Sequence, residues 1–158
     1  MILINNSIYG MTGGQYSPLT PAGKYATTSP YGMIESSFDV CKLVEGAGAT
    51  YIARATAYHV VLLEQLIAKG LKHTGFSFIE AISQCPIGFG RRNNMKTATA
   101  MLQWQKDNAV NLKAATAMSP DKLAGRFLIG EFVDKKAPEL VESYGALIKT
   151  AQKRGAQQ

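Results

Sequence analysis

Strand patterns alternate with helix patterns along most of this chain, and that alternation constrains its fold more than any other feature. Residues 2–4 are an apolar run closed by Asn5-Asn6, the pattern of a buried strand's end. Further strand patterns cover residues 50–53, 76–82 and 127–133. Helix patterns fill the spaces between them. Residues 59–72 put Val60, Leu63, Leu66, Ile67 and Leu71 on one face. Residues 97–108 repeat Ala98, Met101, Leu102 and Gln105 at helical spacing. Residues 138–153 turn Leu140, Val141, Tyr144, Ile148 and Ala151 inward, with Lys149, Lys153 and Arg154 at the negative end. A short helix through Val40, Leu43 and Val44 has Ser36 and Ser37 as candidate caps and stops at Gly46 or Gly48. Ser119-Pro120 starts a turn or short helix. These patterns predict an α/β fold: a mostly parallel sheet flanked by helices.

Two stretches break the alternation. Residues 7–37 have no periodicity and hold Gly10, Gly13, Gly14, Gly23 and Gly32 with Pro18, Pro21 and Pro30. A connection of about 30 residues far exceeds the usual length and is commonly functional. Its small residues and tyrosines suggest order against a ligand or a partner. The second stretch is residues 84–94. Both follow strand ends. Ligands gather at the carboxyl ends of strands in such sheets, so the two loops share one functional edge.

Composition narrows the function classes. The chain has 158 residues, enough for one domain with one core. No apolar run approaches the roughly 20 residues of a membrane span. No basic leader precedes the apolar start, so the expected compartment is the cytoplasm. There the two cysteines, Cys41 and Cys85, are not expected to pair. The net charge is +6, but no basic stripe is interleaved with aromatics, which argues against nucleic acid. A basic surface suits an acidic protein partner or is simply solvated.

Asn6 lies just past a strand, with the Ile8 carbonyl two residues on. Together they offer two hard, neutral oxygens of the kind Mg²⁺ shares with phosphates, or they form a plain turn. The run Gly10-Met11-Thr12-Gly13-Gly14-Gln15 brings backbone N–H groups close to a phosphate or a flat ring. Cys85, between a strand and Pro86, presents a thiolate to a metal cluster or is a buried thiol. Cys41 falls on the apolar side of its helix and reads as core. Arg91 and Arg92 guide an anion or an acidic protein, or decorate a surface loop. His59 and His73 have no nucleophile or carboxylate partner in sequence and read as structural. A hydrolase has no motif support.

The run from Ile2 through Asn5-Asn6 and Tyr9 to Ser17-Pro18 resembles the second half of the thiamine-diphosphate motif of the 2-oxoacid:ferredoxin oxidoreductases. The run Ser83-Gln84-Cys85-Pro86-Ile87-Gly88-Phe89-Gly90-Arg91-Arg92-Asn93 is similar to their cluster-binding loop, and Tyr58-His59-Val60 adds to the match. The similarity is specific to about Asn94 and looser beyond Lys96. It is nearest to the thiamine-diphosphate (beta) subunit of the enzymes acting on 2-oxoglutarate. It implies a partial thiamine-diphosphate-binding fold in which residues 1–158 are the C-terminal portion, because the Gly-Asp-Gly half of the motif is absent.

The resemblance also implies site roles. Asn6 and Ile8 hold Mg²⁺. Tyr9, Gly10, Gly13, Gly14 and Gln15 wrap the diphosphate. Met11 and Thr12 lie near the reactive carbon. Cys85 is the fourth ligand of a [4Fe–4S] cluster whose other three cysteines lie in the missing half. The implied partners are that N-terminal half, an alpha-type subunit carrying the activating glutamate, ferredoxin, coenzyme A and a 2-oxoacid. Activity by this chain alone is not expected. The alternatives are a non-catalytic structural or interaction module, and a thiamine-dependent enzyme outside the ferredoxin group, which the Cys85 loop disfavours.

Overall fold

The computed structural model describes residues 1–155. Five strands form one sheet: β1 (Ile2–Asn5), β2 (Tyr51–Thr56), β3 (Ser77–Ile82), β4 (Ala109–Asn111) and β5 (Phe127–Asp134), in the order β1-β3-β2-β5-β4. β1, β3 and β2 are parallel, β5 runs antiparallel to β2, and β4 lies parallel to β5. The mostly parallel α/β sheet expected from the alternation is therefore present. β4 carries no sequence pattern of its own, because three residues are too few to show a period.

Two helices pack on opposite faces. From β1 through α1 (Val40–Gly46) the chain crosses to β2, and from β2 through α2 (Val60–Lys72) it returns to β3. The two crossings run in opposite directions. The right-handed crossover preference therefore puts the helices on opposite sides. Beneath α2 lie Tyr51, Ala53, Ala55 and Ile79, packed on Leu66; beneath α1, Cys41 meets Ile52, Phe78 and Val133. Gly70 lets α2 approach closely, since a Cβ there would sit 2.8 Å from Ile79 Cδ1.

Several local expectations are corrected. Ser36 and Ser37 do not cap α1. Asp39 holds that position without a side-chain cap bond, because its carboxylate is engaged by Arg54. On α2, Leu62, Leu63, Leu66 and Ile67 face the core, whereas Val60 and Leu71 point outward. The last helix, α6 (Leu140–Gly155), exposes the stripe expected to be buried: Leu140, Val141, Tyr144 and Ile148 all face out. No described element lies against that stripe.

Within the irregular stretch 84–94, Pro86–Gly90 form a π-helical turn and Arg91–Asn93 a 3₁₀ turn. The N–H groups of Phe89 and Gly90 both donate to the Cys85 carbonyl, at 3.0 and 2.9 Å. Gly90 has ordinary helical angles (φ −61°, ψ −47°), so space rather than conformation requires glycine there. A Cβ would collide with the Met95 carbonyl and lie 2.9 Å from Met101 Sδ. Gly90→Ala is expected to destabilise by about 1–3 kcal/mol. Gly46→Ala, with nothing within 4 Å, is the neutral control. Urea unfolding of both variants checks this.

Candidate cofactor site

The site starts where β1 ends. Asn5 Nδ2 donates to Glu80 Oε1 at 2.7 Å, and Asn5 Oδ1 accepts from the Ser7 N–H at 2.9 Å. Ser7 has φ +64°, which non-glycine residues rarely adopt and which concentrates at functional sites. Thr20, fully buried, donates to the Ser7 carbonyl at 2.6 Å and accepts from the Ser17 N–H at 2.9 Å. Glu80 and Thr20 thus hold the turn from two sides. On it, Asn6 Oδ1 accepts a long 3.3 Å bond from the Ile8 N–H. The Asn6 amide oxygen and the Ile8 backbone therefore sit side by side.

The turn stands on a buried charge network. Arg54 Nε donates to Glu80 Oε2, and Arg54 Nη2 donates to Asp39 Oδ1 at 2.8 Å. Burial opposes the Arg54 charge, but Glu80 and Asp39 more than offset it and raise its pKa. Cys41 Sγ lies 3.7 Å from Glu80 Oε2, and burial pushes its pKa up to about 12, so it is a neutral core thiol.

The glycine loop folds on itself. The Tyr9 N–H donates to the Gln15 carbonyl (3.0 Å), and the Gly14 N–H donates to the Tyr9 carbonyl (2.9 Å). Gln15 Nε2 donates to the Thr12 carbonyl (3.0 Å), and Thr12 Oγ1 donates to Gln15 Oε1 (2.8 Å). Thr27 Oγ1 donates to the Gly13 carbonyl (2.6 Å). At Gly14 (φ +80°) a Cβ would lie 2.9 Å from that hydroxyl. Side chains of the loop itself, among them Thr12, Gln15, Thr20 and Thr27, bond across it. Met11 stands at its tip, fully exposed, beside an exposed Thr12.

The second loop meets the first. Cβ atoms added at Gly10 or Gly88 would each lie 3.1 Å from Cys85 Sγ. The sulfur therefore rests between the two glycine backbones. Both loops occupy one edge, as expected. Asn6, Ile8, Tyr9, Gly10, Gly13, Gly14, Gln15 and Cys85 gather there.

Two hollows flank the turn. An apolar groove of about 420 Å³ beside β1 is lined by Leu3, Ile8, Leu19, Phe38, Val40 and Leu43. A cleft of about 610 Å³ opens over Asn5, Arg54 and Glu80.

The donor set fits Mg²⁺ in part: two hard oxygens, where that ion takes six and shares several with phosphate and water. It fits an iron–sulfur cluster in part too, with one thiol of the four needed. No group of three or more His, Cys, Asp and Glu placed to hold a metal occurs among the described residues. Each histidine is engaged within the fold, His73 also lying 3.7 Å from Asp134 Oδ1. His59 Nδ1 lies 2.8 Å from Thr56 Oγ1, and burial lowers its pKa; His73 Nε2 lies 2.9 Å from Thr50 Oγ1. Sequence reading missed the Arg54–Glu80–Asp39 network and Thr20. The available signal was a single charge within each of two apolar strands.

Residues 1–81 match the family model described as thiamine pyrophosphate enzyme, C-terminal TPP binding domain, and the chain belongs to that family. Among its relatives, it is 50% identical over 149 residues to the 2-oxoglutarate synthase subunit KorB of Methanothermobacter marburgensis, covering 94% of this chain and 52% of the relative. It is 36% identical over 87 residues to the 2-oxoglutarate oxidoreductase subunit KorB of Mycobacterium tuberculosis, covering 55% of this chain and 23% of the relative. Its structure matches a 2-oxoglutarate:ferredoxin oxidoreductase from Magnetococcus marinus, solved with 2-oxoglutarate, coenzyme A and succinyl-CoA bound. The TM-score is 0.75 at 28% identity, over 96% of this chain and 52% of that one. The chain spans about half the length of the relatives it matches from end to end.

Proposed function

We propose that this chain serves as the C-terminal portion of the thiamine-diphosphate-binding subunit of a 2-oxoglutarate:ferredoxin oxidoreductase. One observation carries the reading: the Cys85 sulfur rests on Gly10, the first residue of the glycine loop, two residues after the Asn6–Ile8 turn ends. A turn that would hold a diphosphate and its metal, packed against a thiol that would ligate a cluster, suits an enzyme that pairs thiamine chemistry with iron–sulfur electron transfer.

In this reading Asn6 Oδ1 and the Ile8 carbonyl ligate Mg²⁺, and Tyr9, Gly10, Gly13, Gly14 and Gln15 surround the diphosphate. Met11 and Thr12, at the exposed loop tip, would stand near the thiazolium. Thiamine diphosphate, when bound, supplies the carbanion chemistry of 2-oxoacid decarboxylation. The protein's part is to hold the loop, through Thr27 and the Gln15–Thr12 bonds, and to keep the Cys85 sulfur beside it. Coenzyme A accepts the acyl group and ferredoxin the electrons.

The site needs a complement. β1 is an edge strand with Ile2 and Ile4 exposed, and the apolar groove runs beside it. An open apolar edge invites pairing. The N-terminal half of the subunit, bearing Gly-Asp-Gly and three cysteines, suits that edge, and an alpha-type subunit covers the loop tip. Among the described residues no helix is long and apolar enough to cross a membrane, which is compatible with work in the cytoplasm.

The test is native mass spectrometry and metal analysis of the complex purified anaerobically from its source. A partner of roughly half-subunit mass with thiamine diphosphate, Mg²⁺ and iron–sulfur supports the proposal. A bare monomer or homodimer overturns it in favour of a non-catalytic module. In the complex, Cys85→Ser is expected to abolish the reduced-cluster EPR signal while changing unfolding free energy by less than about 1 kcal/mol.

A further inference from the structure

The chain's charges are segregated. Residues 1–34 and 81–106 contain none of its 11 Asp and Glu, but five of its 17 Lys and Arg: Lys24, Arg91, Arg92, Lys96 and Lys106. All but one unit of the net charge of +6 therefore resides in these two segments. They are the segments that carry the glycine loop and Cys85.

The fold ties the two segments to one another. Asn93 clamps the segments together. Its Oδ1 accepts from the Tyr25 N–H at 2.9 Å, and its Nδ2 donates to the carbonyls of Tyr25 (3.1 Å) and Phe89 (2.9 Å). Lys24 immediately precedes Tyr25 and Arg92 immediately precedes Asn93, the two residues that are bonded across the segments. Its Nζ lies 6.0 Å from the Trp104 ring centre, and Trp104 packs against Phe89. The Met95 N–H donates to the Gly90 carbonyl at 2.8 Å and folds Lys96 back toward the same turn.

None of Lys24, Arg91, Arg92 and Lys96 forms an ion pair among the described residues, whereas Lys42, Arg54, Lys69 and Lys135 all do. Arg91, Arg92 and Lys96 are exposed. Arg91 starts five residues after the π turn's first residue, Pro86, and donates its N–H to the Pro86 carbonyl, one turn from Cys85.

We infer that Lys24, Arg91, Arg92 and Lys96 form the docking surface for an acidic electron-carrier protein beside Cys85. This rests on the proposed function, which gives Cys85 a cluster. Electrons leaving that cluster need an acceptor held close, and Arg91 and Arg92 follow directly on the π turn that Cys85 precedes. A protein partner fits better than a small anion. The cations are spread over two loops on the outer surface, and neither of the two hollows is lined by any of the four. A broad unpaired cationic field raises the encounter rate of an acidic partner and is screened by salt.

The test compares the assembled complex with its Arg91→Glu/Arg92→Glu and Arg91→Gln/Arg92→Gln variants. Each is assayed for 2-oxoglutarate-dependent reduction of an acidic ferredoxin and, separately, of methyl viologen. Charge reversal is expected to lower kcat/KM for ferredoxin by about 10- to 1,000-fold and to flatten its salt dependence. The glutamine pair should fall between. Dye reduction, the KM for coenzyme A and the melting temperature should stay unchanged. Ferredoxin kinetics within twofold of wild type, or a raised KM for coenzyme A with ferredoxin unaffected, would overturn the docking surface alone. A wild-type complex that cannot reduce the dye overturns the functional reading, and the docking inference with it.

Discussion

Replacing Asn6 with alanine in the assembled complex is expected to weaken Mg²⁺-dependent thiamine diphosphate binding at least about 100-fold. Outer partners of metal ligands alone are worth 10–100-fold, so removing a ligand should do no less. The unfolding free energy should move by less than about 1 kcal/mol. The asymmetry comes from the turn's construction. Asn6 makes one long bond, to the Ile8 N–H, and the conformation of the turn is enforced by its neighbours Asn5 and Thr20. On the proposed assignment, removing Asn6 would take an oxygen from the metal without releasing the backbone. Isothermal titration with thiamine diphosphate at several Mg²⁺ concentrations reads the first effect, and chemical unfolding the second. An Asn6→Ala variant that binds the cofactor like wild type would sink the metal assignment.

The second large effect is expected at Glu80. Glu80→Ala leaves the buried Arg54 with only the half-exposed Asp39, removes the acceptor of Asn5 Nδ2, and should cost about 3–5 kcal/mol, the range for a buried ion pair with one partner deleted. The double variant Arg54→Met/Glu80→Leu removes both charges. It should recover much of that stability, since a buried pair and a packed apolar pair are often equivalent. It still lacks the acceptor for Asn5, so the left-handed Ser7 loses part of its support. Mg²⁺ affinity should therefore remain reduced when stability returns. If affinity returns with stability, the network acts only on folding and does not position the turn.

Much of the architecture is legible in local patterns, and the misses share one cause. The strands at residues 51–56 and 77–82 stand out because β-branched and aromatic residues cluster there. The helices at 60–72 and 98–108 stand out by period. β4 is too short to show a period. The outward stripe of α6 could not be assigned from its own residues, because an amphipathic pattern marks a face that wants burial and says nothing of what covers it. The correct stripe of α2 differs from the expected one for a related reason. Gly70, unremarkable in sequence, lays its bare backbone against Tyr51 and Ile79, while Leu71, the next residue round the helix, faces out.

By itself the sequence determined the residue types at the site: Asn5-Asn6 at a strand end, the glycine loop after it, and a cysteine before Pro86. Their chemistry and order are local, and short-range spacing carries them. Only the tertiary structure decided that they form one place. Parallel pairing of β1 with β3, with Asn5 level with Ile82, brings the two loops to the same edge and sets Cys85 against Gly10. The β2–β3 register aligns Arg54 with Glu80 under the Asn5 side chain. Contacts between residues some 75 positions apart depend on strand order and register, which the whole core sets at once through the burial of both sheet faces.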